Sequence, residues 1–242
     1  MGRVVFNADD LGLSEGVNKG IIECYENGVV NSSSLMTTTI HFEDTVKLIA
    51  KHGLTNIGLH FNLTEGEPLL KNHKTIVDKE NQFLRDIHFA NNVDASEVFA
   101  ELEAQYLKAV NAGVAITHMD SHHHIHMTAN LRVVFVAFAK KHKLPLRKIN
   151  NTTRHPLRTL KFFNDTIGAK YYTNKISLDF YGEGVSEHNL INILEKHKDV
   201  DLEIMCHPGY NDAENGVYNN ERELELKILT SEIIKNRIVK HT

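Results

Sequence analysis

An internal segment of the chain, residues 117–127 with the sequence THMDSHHHIHM, carries five histidines and one aspartate. Because it lies inside the chain and other residues interrupt it, it is not an affinity tag and must be read as native chemistry. If the segment continued as a strand, alternation would place His122, His124 and His126 on one face and His123 on the other. These side chains cannot all bind one metal ion, so the others are expected to contact substrate, to support the site or to pack.

Other residues whose side chains could take part in catalysis or metal binding lie near the ends of strand-like runs. They are, in chain order, Asp9, Asp10, His60, Asp120 and His207. Two histidines and one carboxylate form the donor set of many catalytic metal sites, in which a further position stays open for water or a substrate oxygen. A bound cation can lower the pKa of that water and polarise a carbonyl group. The sequence therefore predicts a catalytic metal site.

Strand-like and helical patterns alternate along most of the chain. The predicted strands are 3–8, 29–36, 56–63, 115–120, 144–150, 171–181 and 201–207. The predicted helices are 14–27, 43–52, 95–111, 128–142, 186–198 and 220–237, and a glycine follows three of them closely. This order of strand and helix predicts a parallel sheet covered by helices.

The candidate residues lie towards the carboxyl ends of the first, third, fourth and last predicted strands, with His60 inside the third, at the edge where α/β folds build their sites. Neighbouring strands lie about 4.8 Å apart, so an open sheet of seven could hold its outer strands roughly 25 Å or more apart. We therefore expect an α/β protein with a (β/α) barrel of about seven parallel strands, similar to a TIM barrel, rather than a doubly wound open sheet. Residues 65–93 are polar and weakly periodic, and are expected to be an insertion into a single domain of residues 1–242.

Composition excludes several classes of protein. A chain of 242 residues that is 41% hydrophobic and 24% charged can bury a sizeable core. Its net charge of -4, spread over 31 acidic and 27 basic residues, argues against nucleic acid or an anionic membrane as a partner. The sequence has no apolar run of about 18 residues that would predict a membrane span. Two cysteines and no secretory signal predict reduced thiols in the cytoplasm.

Five motifs, taken in order, resemble those of the YdjC-type carbohydrate deacetylases, the family of the chitooligosaccharide deacetylases. They are NADDLGLSEGVNKGI at 7–21, SSSLM at 32–36, GLHFNLTEGEPL at 58–69, THMDSHHHIHM at 117–127 and MCHPGY at 205–210. Each motif is weak alone, but the ordered set covers residues 3 to about 237. The resemblance implies a barrel-like fold and the metal-dependent removal of acetyl groups from N-acetylated mono- or oligosaccharides.

The resemblance also implies roles for individual residues. Asp10, His60 and His122 resemble the family's metal ligands, and Asp9 resembles its catalytic base. Neighbouring residues of a regular strand point to opposite faces, so Asp9 and Asp10 can share a site only if the strand has already ended or twisted. The following LGLSEG, with Gly12 and a helix cap at Ser14, is consistent with such an ending.

The remaining candidates are expected to assist these residues. His207, ahead of Pro208 and Gly209, is placed to protonate the departing sugar amine, which an imidazole with an ordinary pKa of about 6.5 could do near neutral pH. Asp120 is expected to hold a histidine ring in the correct tautomer. Alternation makes His124 and His126 the likelier residues on the site side, as substrate contacts or as support for the site.

Two questions stay open at this point. The resemblance implies Mg²⁺ as the single divalent cation, whereas two imidazoles and a carboxylate suit Zn²⁺ or another transition metal. A barrel phosphoesterase or sugar isomerase could also use Asp and His, although a two-metal phosphoesterase should show more bridging carboxylates. A metal-sequestering protein would explain the histidine count but not ligands spread over distant segments. A homodimer is compatible with all of these readings.

Overall fold

The computed structural model describes residues 2–87, 92–151 and 155–239. It contains six strands, which are β1 (Val4–Leu11), β2 (Ser32–Leu35), β3 (Ile57–Phe61), β4 (Ile116–Ser121), β5 (Lys175–Ser177) and β6 (Leu202–Cys206). They form one parallel sheet in the order β4-β3-β2-β1-β6-β5. The first strand therefore lies inside the sheet, between β2 and β6.

Eight α-helices belong to the described residues. They are α1 (Glu15–Asn27), α2 (Phe42–His52), α3 (Ala95–Asn111), α4 (Arg132–His142), α5 (Pro156–Thr166), α6 (Glu187–Lys196), α7 (Asn220–Leu229) and α8 (Glu232–Val239). Ser14 caps α1 as predicted, since its hydroxyl accepts a hydrogen bond from the backbone N–H of Val17. None of these helices is long and apolar enough to cross a membrane.

The predicted α/β class and barrel-like curl are confirmed, but seven strands and a closed barrel are wrong: the sheet is a six-stranded, curled half-barrel. The expected strand at 144–150 pairs only through Leu146, which makes isolated bridges to Met119 and Tyr171. Pro145 has no N–H to donate to a ladder, which limits pairing there. The expected strand at 171–181 is reduced to the three residues of β5.

The two faces of the curled sheet differ in polarity. The outward residues, such as Phe6 on β1 and Ile204 on β6, belong to an apolar core beneath the helices. A second apolar core lies around β3, β4 and α4. The inward residues are polar and buried: Asn7, Ser32, Ser34, His118 and Glu203. Side chains alternate between the two faces along each strand, so the outer face of the sheet is apolar and the inner face is polar. The polar inner face extends to the carboxyl ends of the strands.

Helix boundaries differ from the sequence predictions in three places. The predicted helix at 128–142 begins only at Arg132, and residues 122–127 before it form 3-10 turns that are interrupted by non-helical backbone angles at His123 and His124. The predicted helix at 220–237 is two helices, α7 and α8. Helix α5 (Pro156–Thr166) lies where the sequence pattern predicts neither a strand nor a helix. Proline at the first position of α5 is favourable there, because the N–H that it lacks would have no helical partner.

The expected insertion at 65–93 has no α-helix or named strand in its described part. Two glutamates of α3, the buried Glu101 and the partly exposed Glu97, hold its first half. The carboxylate of Glu101 accepts the backbone N–H groups of Leu69 and Leu70, and Glu97 accepts those of Lys74 and Thr75. These bonds fix the segment against the body of the protein beside β3.

Gly20 of α1 provides a test of this packing. A Cβ at this position would lie 2.5 Å from the Cα of Gly209, close to His207. Helix propensity favours alanine over glycine by about 1 kcal/mol, whereas overpacking costs about 1–3 kcal/mol. We therefore expect Gly20→Ala to lower the free energy of unfolding, measured by urea denaturation. The control is Lys19→Ala on the exposed side of α1, which should change stability little; a stabilised Gly20→Ala would refute the close approach.

Candidate active site

The end of β1 brings two carboxylates to the same place. Asp10 has a left-handed backbone with φ of 69°, and the register between β1 and β2 shifts between Ala8 and Leu11. Aspartate tolerates this conformation better than most residues. Both Asp9 and Asp10 are buried and line one cavity. The strand does not end before Asp9, since β1 continues to Leu11, but the register shift and the left-handed Asp10 twist it locally, so that adjacent residues can face one site.

Asp10, His60 and His122 converge in that cavity. One oxygen of Asp10, Oδ1, lies 3.2 Å from Nε2 of His60 and 3.0 Å from Nδ1 of His122. All three residues are buried, and their ligand atoms lie within 4.8 Å of one another. One carboxylate and two imidazoles at this spacing fit a divalent cation.

The second nitrogen of each ring faces another carboxylate. Nδ1 of His60 lies 2.7 Å from Oδ1 of Asp120, and Nε2 of His122 lies 3.4 Å from Glu65. Such contacts orient imidazoles toward a metal. Burial alone would lower the pKa of His60, but Asp120 and Asp10 together raise it to about 10. A cation binding at this ring must therefore displace a proton.

Arg147 lies at the centre of the polar interior and is completely buried. Its guanidinium contacts Asp9 at 2.5 and 2.6 Å, Asp120 at 2.7 Å and Glu203 at 2.7 Å. Asp9, His60 and Asp120 also lie close enough together to hold a metal. Since one guanidinium already bridges the two carboxylates of that group, a cation there would compete with a fixed positive charge.

The environment of Asp9 keeps it ionised. Burial would raise its pKa, but Arg147 holds the pKa below the usual aspartate value. Oδ1 of Asp9 accepts from Arg147 and from the side-chain amide of Asn7, whereas Oδ2 accepts only from Arg147 among the bonds of the described residues. A carboxylate oxygen can accept a further bond. Oδ2 lies 4.0 Å from Nε2 of His207, so its remaining acceptor capacity is available near that ring.

His207 is largely but not fully buried, with 12% of its side chain exposed, and its surroundings differ from the expected ones. Burial lowers its pKa to about 4, below the ordinary value predicted from the sequence. Its Nδ1 has no hydrogen-bond partner among the described residues, although Oε1 of Glu225 lies 3.9 Å away. Glu225 also accepts the backbone N–H of His207 and, at 2.7 Å, the hydroxyl of Tyr218. In the protein without substrate, His207 is therefore neutral at neutral pH.

The histidine cluster does not continue as a strand. β4 ends at Ser121, and His123 and His124 both have left-handed backbones with φ of 53°. The alternation predicted for 122–126 is therefore wrong. His122, His123 and His124 line the cavity, while His126 is fully buried outside it and bonds to the hydroxyl of Ser121 at 2.6 Å.

The cavity has a volume of about 510 Å³, which suits a small ligand. Sequence reasoning missed several of its residues, including Glu65, Arg85, Tyr181, Tyr218 and Arg222. Arg222 donates to Oδ2 of Asp10 at 2.6 Å. It lies in the charged helix α7, where nothing in the pattern distinguishes it. A signal did exist for Glu203, which is the one charged residue in the apolar run 202–206, whereas Arg147 stands next to Lys148 and its run does not distinguish the two.

Comparison with known proteins gives one consistent family. A family model described as YdjC-like protein matches residues 3–240. A carbohydrate deacetylase of Clostridium beijerinckii is 35% identical, over 95% of this chain and 91% of that one. A carbohydrate deacetylase of Vibrio parahaemolyticus is 34% identical, over 99% and 92%. A chitooligosaccharide deacetylase of Yersinia pestis is 35% identical, over 97% and 93%.

Solved structures agree on the fold. A protein from Enterococcus faecalis, described as a candidate for cellobiose-phosphate cleavage, superposes with a TM-score of 0.88 at 28% identity, over 99% of this chain and 95% of that one. The lactam utilization protein of Thermus thermophilus has a TM-score of 0.55 at 16% identity, over 97% of each chain. The second likeness concerns the fold alone.

Arg147 should be indispensable for stability. Arg147→Met would leave three buried carboxylates without their shared cation, and breaking a buried ion pair costs about 3–5 kcal/mol. Chemical denaturation should show a loss of at least that order. The control is Arg132→Met, because Arg132 is also largely buried but has Asp165 as its one ion-pair partner among the described residues. Equal losses in the two variants would contradict a special role for Arg147.

Glu225 should make stability depend on pH. Burial raises its pKa from 4.5 to about 8, so the folded protein favours the protonated carboxyl. Its contribution to stability is complete below about pH 4.5 and is lost as the pH rises through about 8. Glu225→Gln imitates the protonated form, so its stability relative to the wild type should increase between pH 4.5 and 8. Urea denaturation across this range checks the trend, with exposed Glu223→Gln on the same helix as control; a constant difference would contradict it.

Proposed function

The chain belongs to the YdjC-like family, and we propose that it is a carbohydrate N-deacetylase that hydrolyses the acetamide of an N-acetylated mono- or oligosaccharide. The observation that supports this most is the convergence of a metal-type triad, a fixed carboxylate and a buried histidine in one cavity. Amide hydrolysis needs an activated water, a stabilised oxyanion and a proton for the nitrogen. That the substrate is a carbohydrate is inferred from the relatives named above, which are carbohydrate and chitooligosaccharide deacetylases.

The roles follow from the positions of the side chains. Asp10, His60 and His122 would hold one divalent cation, Mg²⁺ by family resemblance or Zn²⁺ by the type of donors, which supplies polarisation of the acetamide carbonyl and of a water molecule. Asp9 is ionised and accepts a proton from that water as it attacks the carbonyl carbon. Asn7 and Arg147 hold the carboxylate in place while it does so.

His207 delivers the proton that the departing nitrogen needs. Because the pKa of His207 is about 4, the ring is neutral before the reaction and must acquire this proton within the site. Oδ2 of Asp9 lies 4.0 Å from Nε2 of His207. The water proton therefore passes to Asp9, then to His207 and then to the amine, as the C–N bond breaks and acetate forms. Glu225, whose carboxyl accepts the backbone N–H of His207 and lies 3.9 Å from Nδ1, holds this residue in place.

Of the predicted assistants, Asp120 has the contact that its role requires, because it bonds to Nδ1 of His60. His124 lines the cavity and its Nδ1 has no hydrogen-bond partner among the described residues, which suits a contact with substrate. His126 lies outside the cavity lining, so of its possible roles support of the 3-10 helix through Ser121 fits best. The cytoplasmic location and the homodimer stay predictions.

The activity is tested by acetate release. We expect the metal-loaded protein to release acetate from oligosaccharides of N-acetylglucosamine and to stop when a chelator removes the cation. A phosphoesterase would hydrolyse aryl phosphates, an isomerase would convert free sugars without releasing acetate, and a sequestering protein would bind metal without turnover. Any of these patterns without acetate release would refute the proposal.

A further set of variants separates ligands from base. His60→Ala, His122→Ala and Asp10→Asn should lose bound metal and activity. Asp9→Asn should keep the metal and lower kcat by about 10²–10⁴-fold, the usual contribution of a general base. Elemental analysis and kinetics on the same samples check this, with thermal unfolding to confirm the fold. Full metal content in the histidine variants, or wild-type kcat in Asp9→Asn, would contradict the assignment.

A further inference from the structure

Part of the cavity wall is apolar and has no role in the chemistry described above. It consists of Leu178, Tyr181, Met205, Val217 and Tyr218. Tyr181 is 49% exposed, and Val217 is fully exposed. An exposed aromatic ring in a cavity is a good binding surface for a ligand, because covering the ring removes apolar surface from water.

The ring of Tyr181 is held in a fixed orientation. It stacks on Tyr218 with ring centroids 4.4 Å apart and an angle of 8° between the planes. The hydroxyl of Tyr218 accepts the backbone N–H of Gly182 at 3.0 Å and donates to Glu225 at 2.7 Å. One face of Tyr181 is thus covered, and the residue following it is tied to the ring that covers it. The other face remains for a ligand, at little entropic cost on binding.

The position of this ring relates it to the reaction. The centroids of Tyr181 and His207 are 5.3 Å apart, and the ring planes meet at 66°. His207 protonates the departing nitrogen in the proposed function. In an N-acetylated sugar that nitrogen is bonded directly to a ring carbon, so the pyranose must lie within a few ångströms of His207. Tyr218 also lies beside His207, with ring centroids 5.8 Å apart, but Tyr181 covers one of its faces, so the half-exposed ring of Tyr181 offers the flat, apolar surface next to His207.

We propose that Tyr181 is the platform on which the pyranose that carries the reacting acetamide lies, which makes the enzyme selective for cyclic N-acetyl sugars over acyclic acetamides. A pyranose with equatorial substituents presents a face of C–H groups, and these pack well on the electron-rich face of an aromatic ring. The polar edge of the sugar is then left for the histidines and carboxylates on the rest of the wall. This inference rests on the proposed function.

Kinetics on matched variants test the platform. Tyr181→Ala should raise KM for an N-acetylglucosamine oligosaccharide about tenfold and change kcat by less than about threefold, while Tyr181→Phe, which keeps the flat face, should resemble the wild type. Tyr181→Leu keeps apolar bulk without a flat face and should behave like Tyr181→Ala. The control is Tyr210→Ala, since Tyr210 has a similar exposure of 41% but lies outside this cavity.

A second measurement does not depend on turnover. With the metal-loaded wild type, the ring C–H protons of glucosamine, the deacetylated product, should shift upfield in proton NMR because they lie over an aromatic face. The shift should persist in Tyr181→Phe and disappear in Tyr181→Leu. Unchanged KM and an unchanged NMR shift in Tyr181→Leu would overturn the platform while acetate release by the wild type still supported the deacetylase; a wild type that released no acetate would instead refute the proposed function.

Discussion

The organisation of this molecule depends on one buried guanidinium. Arg147 contacts Asp9, Asp120 and Glu203, and through Asp120 it fixes the ring of His60. These groups come from β1, β3, β4 and β6, so a single side chain ties four strands of the curled sheet from the inside. Removing so many charges from water is costly, and a cluster of this kind adds more to precise positions than to net stability.

The same arrangement explains why the half-barrel tolerates an open side. Residues 144–150, which were expected to form the next strand, pair with neighbouring strands only at Leu146. The side chain of the next residue, Arg147, nevertheless extends across the interior to Glu203. A closed barrel would fill this space with layers of apolar side chains. Here the inward positions are occupied by polar residues. Ser34 hydrogen-bonds to Asn7 and Asp120, and Asp120 pairs with Arg147. Glu203 pairs with Arg147 through Oε1, while its Oε2 has no hydrogen-bond partner among the described residues. Asp9, to which Arg147 donates, also lines the cavity of the candidate active site, so the polar interior and this cavity share a residue.

Sequence reasoning predicted the edge of the sheet on which the site lies better than it predicted the shape of the sheet. The carboxyl ends of parallel strands meet at one edge, so residues such as Asp10, His60 and His207 could be brought together from chain order alone. The partners of a buried charge could not be predicted in this way. The position of Arg147 in the sequence does not indicate which carboxylates it contacts in the folded protein. The alternation rule failed at 122–126, since it assumes an extended backbone and the strand had ended at Ser121. The prediction of a strand at 144–150 was wrong because an apolar run does not indicate how many of its backbone N–H groups form hydrogen bonds with a neighbouring strand.

The left-handed backbone at His123 and His124 restricts how this loop can evolve. Only glycine, and to a lesser degree asparagine, aspartate and histidine, adopt such angles at low cost, and β-branched residues hardly do so. Substitutions by valine, isoleucine or threonine would therefore be rejected by the local geometry before any effect on a ligand could be selected. A mutational library at these two positions samples far fewer folded sequences than its nominal size. Sequence variation that alters substrate preference is consequently expected at cavity residues with ordinary backbone angles, where the main-chain conformation does not restrict the type of side chain.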